Sequence, residues 1–137
     1  MIEALENLLV AALVVAHTES KVVVEPYPRP VESYVLKSEA AILVHYAGAE
    51  FDAAEESDIV QQVMLCSFQV VIVSRNLRSH AGAYELMDTN RDAVVGMDAK
   101  GLPFFSVSEG ILGLENGVWW YSQIFSVRQV YNGVIER

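Results

Sequence analysis

Gln61-Gln62-Val63-Met64-Leu65-Cys66-Ser67-Phe68-Gln69-Val70-Val71-Ile72-Val73 is the longest strand-like run in this chain. Successive side chains of a strand point to opposite faces. Met64, Cys66, Phe68, Val70 and Ile72 therefore share one face, and Val63, Leu65, Val71 and Val73 share the other, with Ser67 and Gln69 between them. Both faces are largely apolar, which is what a central or doubly covered strand needs. Cys66 sits inside the pattern and reads as a small core hydrophobe, not a reactive thiol. The fold is expected to be built around this strand.

Working outward, Ser79 is placed to N-cap a helix that runs to about Val95, with Gly96 as its stop. Ala83, Leu86, Met87 and Val94 share a broad face with Asn90, while Glu85, Asp88 and Asp92 face water. Phe104–Leu114 and Val118–Val130 read as strands joined at Asn116-Gly117, a pair that tolerates the positive φ of a tight hairpin turn. On the final strand Trp119, Tyr121, Gln123, Phe125 and Val127 fall on one face; Trp120, Ser122, Ser126 and Arg128 fall on the other. Upstream, Ala40–Tyr46 is a strand ended by Gly48. Lys21–Glu25 is a short β-branched strand stopped by Pro26, Pro28 and Pro30, which hold the chain extended. Ile2, Leu5, Leu9, Leu13 and Ala16 recur at spacings of three and four, the buried stripe of a first helix. Val10, Val14 and Val15 lie off that stripe, so more than one side of this helix should be covered. The order is α-β-β-β-α-β-β, an α+β domain with a largely antiparallel sheet and two helices packed on it.

Length and composition narrow the function. The 137 residues fit one domain, 1–137, without repeat or linker. One Cys rules out an internal disulfide and a multi-Cys zinc site. Apolar residues make up 53%, a small excess that suits burial against another subunit. The net charge is −9, with 18 acids against 9 bases. Residues 1–60 carry 11 of those acids and only three bases, Lys21, Arg29 and Lys37. Such a chain should repel a phosphate backbone rather than bind it. The longest apolar run, Leu8–Ala16, is nine residues, against about 20 for a bilayer span. Glu3 and Glu6 precede it where an export signal would carry Lys or Arg. A soluble protein made in the cytoplasm is expected.

A search for catalytic chemistry finds none. His17 ends the first helix, His45 lies in a strand and His80 opens the second helix, and nothing in their spacing brings one to Cys66 or to a Ser nucleophile. Gly110 and Gly113 flank Ile111-Leu112 ahead of a turn rather than a helix, so no phosphate cradle forms there. Glu50, Asp52, Glu55, Glu56 and Asp58 crowd into nine positions without the spacing or glycine of a calcium loop. Asp88 and Asp92 are four apart but lack a third ligand at matching spacing. No metal or cofactor is implied.

Several segments, in order and over nearly the whole length, resemble the small tail protein of Mu-like contractile phages. They are Arg29-Pro30-Val31-Glu32-Ser33-Tyr34, Ile42–Gly48, Ser74-Arg75-Asn76-Leu77-Arg78-Ser79-His80-Ala81-Gly82-Ala83-Tyr84-Glu85-Leu86-Met87-Asp88, and Gly117-Val118-Trp119-Trp120-Tyr121. Arg78–Asp88 is the most specific of them. That family is taken to be the tail terminator. The resemblance implies a hexameric ring at the head-proximal end of the virion tail. The ring would stop growth of the tail tube, meet the sheath and offer a docking face to the neck and head. It implies no catalytic residue. DNA would slide through the lumen without specific binding; six copies at −9 total −54, and negative walls would keep DNA from sticking. Two surfaces are expected to carry assembly: the acidic loop Ala49–Asp58 (Glu50, Asp52, Glu55, Glu56, Asp58), and the connection Ser74–Arg78 (Arg75, Arg78) with His80 beyond it. Competing readings are a head–tail connector and, in another class, a small enzyme or ligand-binding domain using His80.

Overall fold

The computed structural model describes residues 1–18, 21–52, 59–78 and 81–134. Its elements run α1 (Ile2–Ala16), β1 (Val22–Pro26), a 3-10 turn (Val31–Ser33), β2 (Ala40–Phe51), β3 (Ile59–Ser74), α2 (Ala83–Val94), β4 (Asp98–Ala99), β5 (Leu102–Glu115) and β6 (Val118–Val134). The strands form one six-stranded sheet in the order β1-β2-β3-β6-β5-β4. This is the expected α+β class, antiparallel except where β1 runs parallel to β2.

β3 lies in the middle, paired along its length with β2 and β6. Its two apolar faces now have separate causes. Met64, Cys66, Phe68, Val70 and Ile72 are buried beneath the helices, beside Phe125 and Val127 of β6 and Phe104 of β5. Leu5, Leu9 and Leu13 of α1, with Ala83, Leu86, Met87 and Val94 of α2, close this core from above. Phe68, Phe104 and Phe125 are wholly buried, each contributing roughly 1.5–3 kcal/mol.

On the opposite face Ala41, Leu43, Val71 and Val73 pack with Tyr27, Val31, Tyr34, Leu36 and Trp120. A parallel pair cannot be joined by a tight turn and needs a crossover of a dozen residues or more. Here residues 27–39 make that crossover and also serve as the cover. The strap is held by Tyr27 and Tyr34, ring centroids 5.3 Å apart edge to face, and by a 2.7 Å hydrogen bond between the Tyr27 and Ser33 hydroxyls. Beyond the strap this face turns polar. Ser67 pairs with Ser126, and Gln69 Nε2 donates to Ser122 Oγ.

Three expectations need correction. Gly48 does not end β2: at φ +136° it sits in a bulge after Tyr46, and the strand continues to Phe51. A bulge and a stop use the same property of glycine, so the residue alone does not separate them. The second helix starts at Ala83 with Gly82 at its N-cap, later than a Ser79 cap would place it; Ser79 itself lies outside the described residues. The Asn76 and Leu77 carbonyls accept from the first helical amides, those of Ala83 and Tyr84, so no side-chain cap is required. Finally, β5 and β6 are each longer than the apolar runs that mark them, and the two-residue β4 extends the sheet beyond β5. The hairpin turn is as expected, with positive φ at both Asn116 and Gly117.

Candidate assembly surfaces

Only the first residues of the expected acidic loop are described, and they continue β2. Glu50 lies in β2 opposite Leu65 and is exposed. Asp52 prolongs the ladder: its amide donates to the Val63 carbonyl, and its Oδ1 accepts from the Val63 amide at 2.6 Å. Glu55, Glu56 and Asp58 lie outside the described residues, as does His80. Arg75 and Arg78 follow β3 and are exposed. Arg75 Nη2 also donates to the Leu36 carbonyl at 3.2 Å, tying the end of β3 to the strap. Asn76 and Lys21 both reach Glu39, at 3.1 and 3.6 Å.

None of the described histidines stands in a catalytic arrangement. His17, at the end of α1, donates through Nε2 to Asn90 Oδ1. Asn90 Nδ2 donates to Gln123 Oε1 at 2.8 Å, and Gln123 Nε2 donates to the Met87 carbonyl and to Glu109. Arg91 bridges Glu109 and Asp88, whose hydrogen bonds raise its guanidinium further above its ordinary value. This chain of polar groups crosses the core from α1 through α2 to β6 and β5. Both amides at its centre, Asn90 and Gln123, are fully buried and satisfied. It also answers for Asp88, which is an ion-pair partner of Arg91.

His45 is different. It borders a cavity of about 250 Å³ lined also by Glu6, Tyr27, Arg29 and Tyr46. Its Nδ1 is buried with no partner among the described residues. Burial lowers its pKa, and the Glu6 carboxylate opposes part of that shift. Cys66 is wholly enclosed, and burial pushes its thiol up, away from the thiolate that a nucleophile requires. Among the described residues no group of three or more His, Cys, Asp or Glu converges as a metal site would require. No helix among them is long and apolar enough to cross a membrane.

Exposed apolar side chains stand out instead. On α1, Val15 is 76% exposed and Leu8 and Val14 are open too. Leu8 and Val15, with Ala11, Ala12, Ala93 and Met97, line a shallow groove between the helices. On the hairpin, Ile111 and Leu112 are 56% and 50% exposed, beside Leu114. The hairpin surface was not among the expected sites, because a strand reading of Phe104–Leu114 buries one face. Two register shifts, between Ser106 and Ser108 and between Ile111 and Gly113, break that alternation. The apolar pair Ile111-Leu112 set between two glycines was its only sequence sign.

The family model for the Gp37 protein matches residues 10–132, from the middle of α1 to near the end of β6. The chain belongs to the Gp37 protein family. That match takes in both expected surfaces, the hairpin and the buried polar chain of this Gp37 domain. No curated protein matches it. Among solved structures it is similar to a chain in the virion of a native gene transfer agent particle, at 17% identity and a TM-score of 0.49, over 86% of this chain and 84% of that one.

Proposed function

We propose that this Gp37-family chain is a virion structural protein, a tail terminator that caps the tail tube as a hexameric ring and performs no chemistry of its own. The observation that carries the reading is the run of four ordered segments similar to the Mu-like tail protein, above all Arg78–Asp88, whose last six residues open α2. The surface supports it. Large apolar side chains stand open on α1, on β5 and on the strap, as subunits that meet edge to edge would have them. A tube grows because each ring repeats the face below it, a heterologous contact that does not close. A terminator matches that face on one side and presents a different one on the other. The six-stranded sheet can supply the first, and the two-helix layer the second.

Deleting the gene should leave filled but unattached heads together with overlong or ragged tails, seen by electron microscopy. Purified protein added to growing tubes should cap them. Tails of normal length joined to heads in the deletion would defeat the terminator reading. Normal tails beside unattached heads would instead favour a connector on the head side.

A further inference from the structure

The two ends of the sheet carry unlike surfaces that match each other. At one end, β5 pairs with β6 on one side only once it has passed Phe104. Its tip offers Ile111, Leu112 and Leu114 to solvent, followed by exposed Glu115. From Gly101 to Val127 the chain has two acids, Glu109 and Glu115, and no Lys, Arg or His. Glu109 is already engaged by Arg91 and Gln123, so Glu115 is the outward charge of the tip.

At the other end, a cleft of about 620 Å³ runs between β1 and the strap. Val23, Tyr34 and Val35 give it apolar walls, and Val35 is 69% exposed. Arg29 and Lys37 also line it, against a single acid, Glu25. In the half of the chain that has only three bases, two of them flank this one cleft. An apolar tip with an acid therefore faces, across the length of the sheet, an apolar cleft with an excess of cations.

We propose that the tip of the β5–β6 hairpin docks into the β1–strap cleft of a second copy of this chain. The proposal rests on the ring reading above and supplies its subunit contact. The alternative, pairing two β5 edges about a twofold axis, is opposed by the bulges at Val107 and Leu112, which interrupt the ladder such pairing would extend. Because tip and cleft lie at opposite ends of the strand order, the contact joins different patches. Such a contact is heterologous, the kind that builds a ring when its rotation closes.

The test is disulfide trapping in capped tails, with Leu112→Cys and Val35→Cys in one chain. The natural Cys66 is buried, so the introduced thiols are the reactive ones. Oxidation should give a ladder of covalent oligomers on a non-reducing gel, ending at the ring size, while each single variant stays monomeric. Glu115→Lys should weaken self-association about tenfold, and Lys37→Glu should restore it in the pair. Dimers from Leu112→Cys alone would show the twofold edge contact and overturn the proposal. Rings visible on tubes but no ladder from the double variant would also overturn it, leaving the ring reading standing. Tails that carry no ring of this protein would remove both.

Discussion

Replacing Asn90 probes how far the two helices depend on one buried polar contact. Asn90 and Gln123 are both fully buried, and Asn90 Nδ2 donates to Gln123 Oε1 at 2.8 Å. Asn90→Leu leaves Gln123 Oε1 without its donor and takes the acceptor from His17. A buried polar group left unpaired costs about 1–3 kcal/mol, so a loss of about 2–3 kcal/mol is expected. Gln123→Met keeps length and volume but strands Asn90 Nδ2, at about 2 kcal/mol. The double variant strands neither central amide, because both are gone. Glu109 keeps Arg91, and part-buried His17 can turn towards water. It should lose only about 1–2 kcal/mol, against about 4–5 for the two singles added, a coupling of about 3 kcal/mol. Urea unfolding followed by circular dichroism measures all four corners, provided the slopes agree. In thermal melts Asn90→Leu should fall by roughly 8–12 °C and Gln123→Met by roughly 8 °C, at roughly 4 °C per kcal/mol for a domain of this size. Additive losses, or singles costing less than about 0.5 kcal/mol, would refute the view that this contact locks α2 to β6.

Reversing the charge of Arg75 and Arg78 together should reduce tail assembly and sharpen its salt dependence, scored as capped tails across a salt series; unchanged tails would return the end of β3 to an ordinary solvated surface. His45 predicts an acid limit. Its pKa is lowered on folding from the ordinary 6.5, so the unfolded chain binds more protons just below that pH. Stability contributed by neutral His45 is therefore present above 6.5 and lost as the pH falls from there towards the folded value. His45→Gln should flatten that part of the profile of unfolding free energy against pH, and an unchanged slope would assign it to other groups. Cys66 should resist a thiol reagent in the folded protein and react at once in denaturant, since burial both blocks access and holds the thiol protonated.

What was legible in the sequence is what local periodicity carries. The double apolar face of β3 marked it as the middle of the sheet. The three-and-four spacing of Leu5, Leu9 and Leu13 marked the buried stripe of α1, and the α2 face was legible down to Asn90. Asn116-Gly117 named its own turn because only a few residues accept positive φ. Glu50, Arg75 and Arg78 were legible as exposed because charge resists burial, whatever the fold. Tertiary structure alone decided the partners. Nothing local says that residues 27–39 cross over to cover Val71 and Val73, that Gly48 bulges rather than stops, or that Arg75 reaches the carbonyl of Leu36. His17, Asn90 and Gln123 lie 73 and 33 positions apart in sequence and meet only when both helices pack on β6. The bulges that turn Ile111 and Leu112 outward depend on the register against β6. Side-chain chemistry and spacing limit what each residue tolerates. Which neighbour satisfies it is chosen by contacts that exist only once the chain has folded.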